Sequence, residues 1–115
     1  KTKDFVFLHI EACDEAGHEG DLDLKIRCIQ DIDRRVVKRV LDEMLTWDEP
    51  VTIALLPDHP TPIATRTHTM DPVPFVIYRT GIEADQVDCY DELAAREGGY
   101  GLIDGDQFMT LFAGK

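Results

Sequence analysis

At 115 residues the chain can bury one modest core and is too short for two ordinary domains, so a single domain over residues 1–115 is expected. A net charge of -11, from 23 acidic against 12 basic residues, argues against nucleic acid and membrane surfaces as partners where no basic patch intervenes. Cys13, Cys28 and Cys89 are odd in number and form no CxxC pair, which argues against a disulfide framework and a structural zinc knuckle and fits a reducing cytoplasm.

No apolar run approaches the ~20 residues that cross a bilayer, and no signal peptide stands at the amino end. The chain opens on KTKDF without an initiator methionine and enters an apolar run at once. It is therefore expected to be a piece of a longer polypeptide.

Phe5 to Ala12 is short, apolar at nearly every position and rich in aromatic and β-branched residues, the pattern of a parallel strand buried on both faces. A turn from Asp14 to Gly20 should follow it. Leu22, Ile26, Ile29, Ile32, Val36, Val40 and Met44 then recur in steps of three and four, which predicts one long amphipathic helix with Asp21 and Asp23 near its positive end. Cys28 should lie at the edge of its buried face. Arg34, Arg35, Lys38 and Arg39 sit among Asp31, Asp33, Asp42 and Glu43 and read as a solvated, ion-paired face.

Trp47 to Pro50 ends the helix, and Val51 to Leu56 reads as a second buried strand closed by Pro57. The two strands and the helix would make a right-handed βαβ unit, with ligands gathered beyond the carboxyl ends of the strands. Asp14 and His18 follow the first strand, and Asp58 and His59 follow the second, so both pairs should open onto one edge. His68 precedes a third strand, Pro74 to Tyr78, and can join that edge only if this strand runs antiparallel. Residues 81–101 are polar and turn-rich apart from a short helix near Tyr90 to Arg96. Gly98-Gly-Tyr-Gly101 lacks the lysine and the serine or threonine of a phosphate loop and reads as a flexible turn. Asp104 or Asp106 should cap a last helix, Gln107 to Phe112, that packs through Phe108, Leu111 and Phe112.

Aspartate with histidine suits Mn²⁺ or Zn²⁺, and the lack of a cysteine pair favours a catalytic over a closed structural metal site. One aspartate and histidine separated by three residues is a common accident, whereas two clusters at matched strand ends are not. His9, inside the first strand, reads as a hydrogen-bonded core residue outside the site. Glu11 and Glu15 are either groups that orient a ligand or simply solvent-exposed.

The segments DEAGHEGD, LPDH and THTMDPVPF resemble the carboxyl-terminal part of cofactor-independent (2,3-bisphosphoglycerate-independent) phosphoglycerate mutases, in the bacterial and archaeal branch of the alkaline phosphatase superfamily. The resemblance covers nearly the whole chain. It implies an α/β fold, a mixed sheet flanked by helices, of which this chain would supply a βαβ unit and one antiparallel strand. It also implies two divalent metal ions, Mn²⁺ or Zn²⁺ with Mg²⁺ a third candidate, one held by Asp14, His18 and His68 and the other by Asp58 and His59. In that family a further aspartate and the nucleophilic serine lie upstream, and nothing in this chain matches them. The remainder of the polypeptide would therefore complete the site, and the chain alone should be inactive. The implied activity interconverts 2- and 3-phosphoglycerate, a small phosphorylated substrate, through a phosphoserine intermediate in cytoplasmic glycolysis. Another phosphoryl-transfer enzyme of that superfamily, such as a phosphopentomutase or a phosphatase, would share the metal ligands, although PVPF favours the mutase. A non-catalytic metal-binding module is the alternative from a different class.

Overall fold

The computed structural model describes residues 2–114, and the backbone falls into two units. One reaches to Val40 and takes in Thr61–Thr69; the other comprises Leu41–Pro60 and the described residues from Met70 onward.

In the first unit, helix α1 (Ala12–Glu19) stops at Gly20, whose φ of 71° lies in the left-handed region that glycine enters without a Cβ penalty. The next residue starts helix α2 (Leu22–Ile32), because the Asp21 carboxylate accepts the Leu24 N–H at 2.9 Å. A π-helical turn, Asp33–Val37, continues it, and helix α3 (Lys38–Met44) carries the chain out of this unit. The long amphipathic helix predicted over 22–44 is thus present with a widened turn in its middle. Arg34 and Asp31 pair there at 3.1 Å with side chains 69% and 49% exposed, a surface contact of little energetic weight.

The segment Thr61–Thr69 lies directly on α1. Ala16 is fully buried and Thr61 is 4% exposed. A Cβ on Gly17 would stand 2.5 Å from the Thr61 carbonyl oxygen and 2.9 Å from its methyl carbon. A mid-helix glycine costs roughly 1 kcal/mol against alanine, and here it admits this close approach of the loop backbone.

In the second unit, β1 (Thr52–Leu55) and β2 (Val76–Arg79) pair antiparallel, from Thr52 opposite Arg79 to Leu55 opposite Val76. The Thr80 N–H extends the ladder to the Val51 carbonyl at 3.0 Å. Helix α4 (Gly105–Phe112) begins at Asp104, whose N–H donates to Gln107 Oε1 at 3.0 Å in a capping box. Of the two aspartates expected as caps, Asp104 therefore takes the role. The Arg79 guanidinium donates to the carbonyls of Leu111 and Phe112, the latter at 2.9 Å, and so satisfies orphan acceptors at the carboxyl end of α4. Phe75 meets Phe108 edge-on with ring centroids 5.6 Å apart and lies 5.8 Å from Tyr100, so α4 packs through Phe108 as expected. Near Tyr90, where a short helix was expected, a single 3-10 turn (Ala94–Glu97) forms. Asp91 Oδ1 accepts the Leu93 and Ala94 N–H groups at its start. The glycine-rich stretch is tied down at Gly99, whose N–H donates to Asp85 Oδ2 at 2.9 Å.

The α/β class and the antiparallel direction of the Pro74–Tyr78 strand both hold, while three local expectations need correction. Phe5 to Glu11 joins no ladder; the sheet consists of β1 and β2, so no βαβ crossover forms among the described residues. Phe5, Val6, Phe7 and Leu8 are 56–78% exposed. A strand persists only where a ladder and packing on its faces support it, and this segment is in no ladder. The expected Asp14–Gly20 turn is instead the helix α1. His9 is no core residue either: its side chain is 47% exposed and lies 3.8 Å from that of the still more exposed Glu11. Among the described residues no helix is long and apolar enough to cross a membrane.

Candidate metal centre

An α-helix stacks residues four apart on one face, and this brings His18 Nε2 within 3.3 Å of Asp14 Oδ2 on α1. The Thr61–Thr69 segment adds the third group. His68 Nε2 lies 3.2 Å from Asp14 Oδ1 and 3.2 Å from His18 Nε2. The segment reaches this position through a turn on Pro62, whose carbonyl accepts the Arg66 N–H at 2.9 Å. Arg66 itself has φ 53°, the one positive φ outside glycine among the described residues. Such a conformation typically costs about 1–3 kcal/mol and persists where surrounding contacts demand it.

The demand is visible at His18. Its Nδ1 stands 2.9 Å from the Arg66 carbonyl oxygen, and since a carbonyl only accepts, Nδ1 carries the proton. In a neutral ring Nε2 then presents a lone pair, aimed at a carboxylate oxygen and at a second imidazole nitrogen. The Asp14 carboxylate and the Nε2 atoms of His18 and His68 thus converge, and carboxylate with imidazole is a donor set that holds divalent cations. The spacing agrees with that reading. Ligand bonds of about 2.0–2.2 Å place neighbouring donors about 3.0–3.5 Å apart, and the three separations are 3.2, 3.2 and 3.3 Å. A histidine whose far nitrogen donates to a backbone carbonyl is the usual posture of a metal ligand. The residues present therefore fit a divalent ion.

Electrostatics prepare Asp14 for the role. The Thr61 hydroxyl donates to Asp14 Oδ1 at 2.5 Å and, with the neighbouring His18 and His68, holds the carboxyl below its usual range against a smaller opposing effect of desolvation. It is an anion at neutral pH.

Asp58 and His59 leave the end of β1 after Pro57. Asp58 Oδ1 accepts the His59 N–H at 3.1 Å, and Oδ2 lies 3.3 Å from His59 Nε2, with side chains 60% and 28% exposed. The strand ends behind them are tied by Tyr90, whose hydroxyl lies 3.1 Å from the Pro74 carbonyl oxygen and 3.4 Å from that of Leu55. Burial pushes the Tyr90 hydroxyl up to about 12.

Of the five ligands expected from sequence, Asp14, His18 and His68 thus meet in the first unit, and Asp58 and His59 lie against each other in the second. Glu15 is exposed, as is Glu11. Sequence reasoning missed Thr61 and the Arg66 carbonyl. The available signals were the small residue at 17 between the two α1 ligands and the threonine two places after His59, and neither identifies a hydrogen bond without the fold.

Residues 1–114 match the family described as the metalloenzyme superfamily. The chain belongs to the metalloenzyme superfamily. Among curated superfamily proteins it is 51% identical over 112 residues to the 2,3-bisphosphoglycerate-independent phosphoglycerate mutase of Methanosarcina barkeri, a match that takes in 96% of this chain and 28% of that protein. It is 50% identical over 108 residues to 2,3-bisphosphoglycerate-independent phosphoglycerate mutase 2 of Methanothermobacter thermautotrophicus, covering 94% of this chain and 26% of that enzyme. The chain thus spans little more than a quarter of the length of these relatives. The solved structure of the PH0037 protein from Pyrococcus horikoshii superposes with a TM-score of 0.85 and 34% identity, over 96% of this chain and 33% of that one. The resemblance read from DEAGHEGD, LPDH and THTMDPVPF therefore holds.

Proposed function

We propose that residues 1–115 are the carboxyl-terminal part of the catalytic domain of a cytoplasmic, metal-dependent phosphoglycerate mutase that interconverts 2- and 3-phosphoglycerate through a phosphoserine. The observation that carries this reading is the Asp14–His18–His68 triangle, with His18 locked by the Arg66 carbonyl, in a chain half identical to named mutases over nearly all its length. The serine and a further aspartate belong to the rest of the polypeptide, and the chain by itself is inactive.

Two divalent ions, Mn²⁺ or Zn²⁺ by donor type, would supply charge neutralisation for the transferring phosphoryl group and activation of the serine hydroxyl. Asp14, His18 and His68 would hold one and Asp58 and His59 the other. The work of this chain's own residues is positional: α1 sets the spacing of Asp14 and His18, the Arg66 carbonyl fixes the His18 tautomer, and Thr61 fixes the Asp14 carboxylate. Phosphoryl transfer depends mainly on such pre-set geometry and electrostatics.

The test is an assay of the full-length polypeptide for 2- to 3-phosphoglycerate conversion before and after chelation, and after Mn²⁺ is restored. Conversion that is lost and regained supports the proposal. Turnover of a pentose phosphate instead, or net release of inorganic phosphate, would move the protein to a phosphopentomutase or a phosphatase.

A further inference from the structure

Thr61 does more than fill space against α1. Its hydroxyl donates to Asp14 Oδ1 at 2.5 Å, its carbonyl accepts Lys25 Nζ at 2.5 Å, and its methyl and carbonyl face the bare Cα of Gly17. Each of these contacts restrains a different degree of freedom. The Lys25 ammonium on α2 holds the loop backbone, the absence of a side chain at Gly17 lets that backbone reach α1, and the hydroxyl then meets the carboxylate at one fixed angle. At 4% exposure the threonine itself is shielded from solvent.

A carboxylate has two oxygens with about two acceptor directions each. Oδ2 faces His18, and Oδ1 faces both His68 and Thr61. With the threonine proton occupying one direction of Oδ1, the carboxylate cannot spin about its terminal bond without breaking a charge-assisted hydrogen bond, so its remaining directions stay trained on the two imidazoles.

We propose that Thr61 is the positioning residue of the Asp14–His18–His68 centre, holding the Asp14 carboxylate in its metal-binding orientation, with Lys25 as its backbone anchor. This inference rests on the reading that these three side chains hold a divalent ion. Hydrogen-bond partners of ligands typically account for 10–100-fold in metal affinity.

The experiment titrates Mn²⁺ calorimetrically into the metal-free full-length polypeptide and its variants and follows the site that Asp14→Ala abolishes. Thr61→Val, which keeps shape and removes the donor, should weaken that site 10–100-fold, while Thr61→Ser, which keeps the donor, should stay within about threefold. In an Asp14→Asn background, where the anion is gone, Thr61→Val should weaken residual binding no further, because coupled residues are not additive. A role in folding alone would lower the metal-free melting temperature and leave affinity and additivity untouched. Should Thr61→Val fail to fold, Lys25→Met leaves the hydroxyl in place and loses the anchor, and a measurable loss of Mn²⁺ affinity is expected there. Wild-type affinity in both Thr61→Val and Lys25→Met overturns the inference while leaving the metal centre standing. A wild-type polypeptide that binds no Mn²⁺, or one whose binding survives His18→Ala unchanged, overturns the metal centre and the inference together.

Discussion

Replacing Gly17 with alanine should destabilise the protein although it improves helix propensity. The gain from propensity is about 1 kcal/mol. Against it, the new methyl would stand 2.5 Å from the Thr61 carbonyl oxygen, well inside the 3.4 Å at which ordinary contact begins. The atom in the way is backbone, so no side-chain rotation relieves the clash, and the Thr61–Thr69 segment must move about 1 Å from α1. Overpacking of this kind costs about 1–3 kcal/mol. The same shift stretches the Thr61–Asp14 hydrogen bond, and bonds to charged groups contribute about 1.5–3 kcal/mol. A net loss of about 2 kcal/mol follows, or a fall in Tm on the order of 10 °C for a small domain. Gly105→Ala is the matched control, because nothing lies within 4 Å of its added methyl. That substitution, at the first residue of α4, should raise stability by about 0.4–1 kcal/mol. Thermal unfolding of both variants in metal-free buffer, followed by circular dichroism, makes the comparison. A Gly17→Ala protein as stable as Gly105→Ala would refute the close packing of α1 against the loop.

The Tyr90 hydroxyl, raised by burial to about 12 from an ordinary value of about 10, favours the neutral form in the folded state. Its contribution to stability is therefore complete below pH about 10 and lost as pH rises through about 12. Ultraviolet titration should show one late tyrosine that Tyr90→Phe removes, and a tyrosine set that titrates together near pH 10 would contradict the burial. With Phe5 to Leu8 exposed, the isolated 115-residue chain should associate with rising concentration. Val6→Lys with Leu8→Lys should suppress this in sedimentation velocity, and a stable wild-type monomer at high concentration would count against it. Calorimetric titration of the same isolated chain with Mn²⁺ should reveal at most one site of appreciable affinity, since only Asp58 and His59 are present for the second. Two tight, independent sites would contradict that division.

How much of this was legible in the sequence depends on the range of the forces involved. The helix over 22–44 and a cap at Asp104 or Asp106 were readable because periodicity and capping act within a few residues. The antiparallel course of β2 was readable from a single constraint, that His68 had to reach the ligand edge before the strand began. The Phe5–Ala12 segment misled because strand propensity describes what a segment tolerates, while a ladder requires a partner elsewhere. Outside any ladder, the chain from Ala12 onward is helical as α1. That change left the site intact, since residues four apart share a helix face. The Thr61–Asp14 and His18–Arg66 hydrogen bonds span separations of 47 and 48 residues, and no local pattern encodes contacts of that range. His9 was misplaced for the same reason as its segment: a histidine between apolar neighbours is buried only if the neighbours are.

The division of the five ligands between two ions is tested most directly by trapping the intermediate. Full-length wild-type, His59→Ala and His68→Ala proteins are mixed with 3-phosphoglycerate, quenched in acid and analysed for phosphoserine by mass spectrometry. If Asp58 and His59 serve the ion that activates the serine, as proposed, His59→Ala should yield no phosphoserine, because its serine is neither oriented nor kept deprotonated at neutral pH. His68→Ala, impaired chiefly in substrate handling, should still accumulate some slowly. Phosphoserine at wild-type levels in His59→Ala would contradict the assignment.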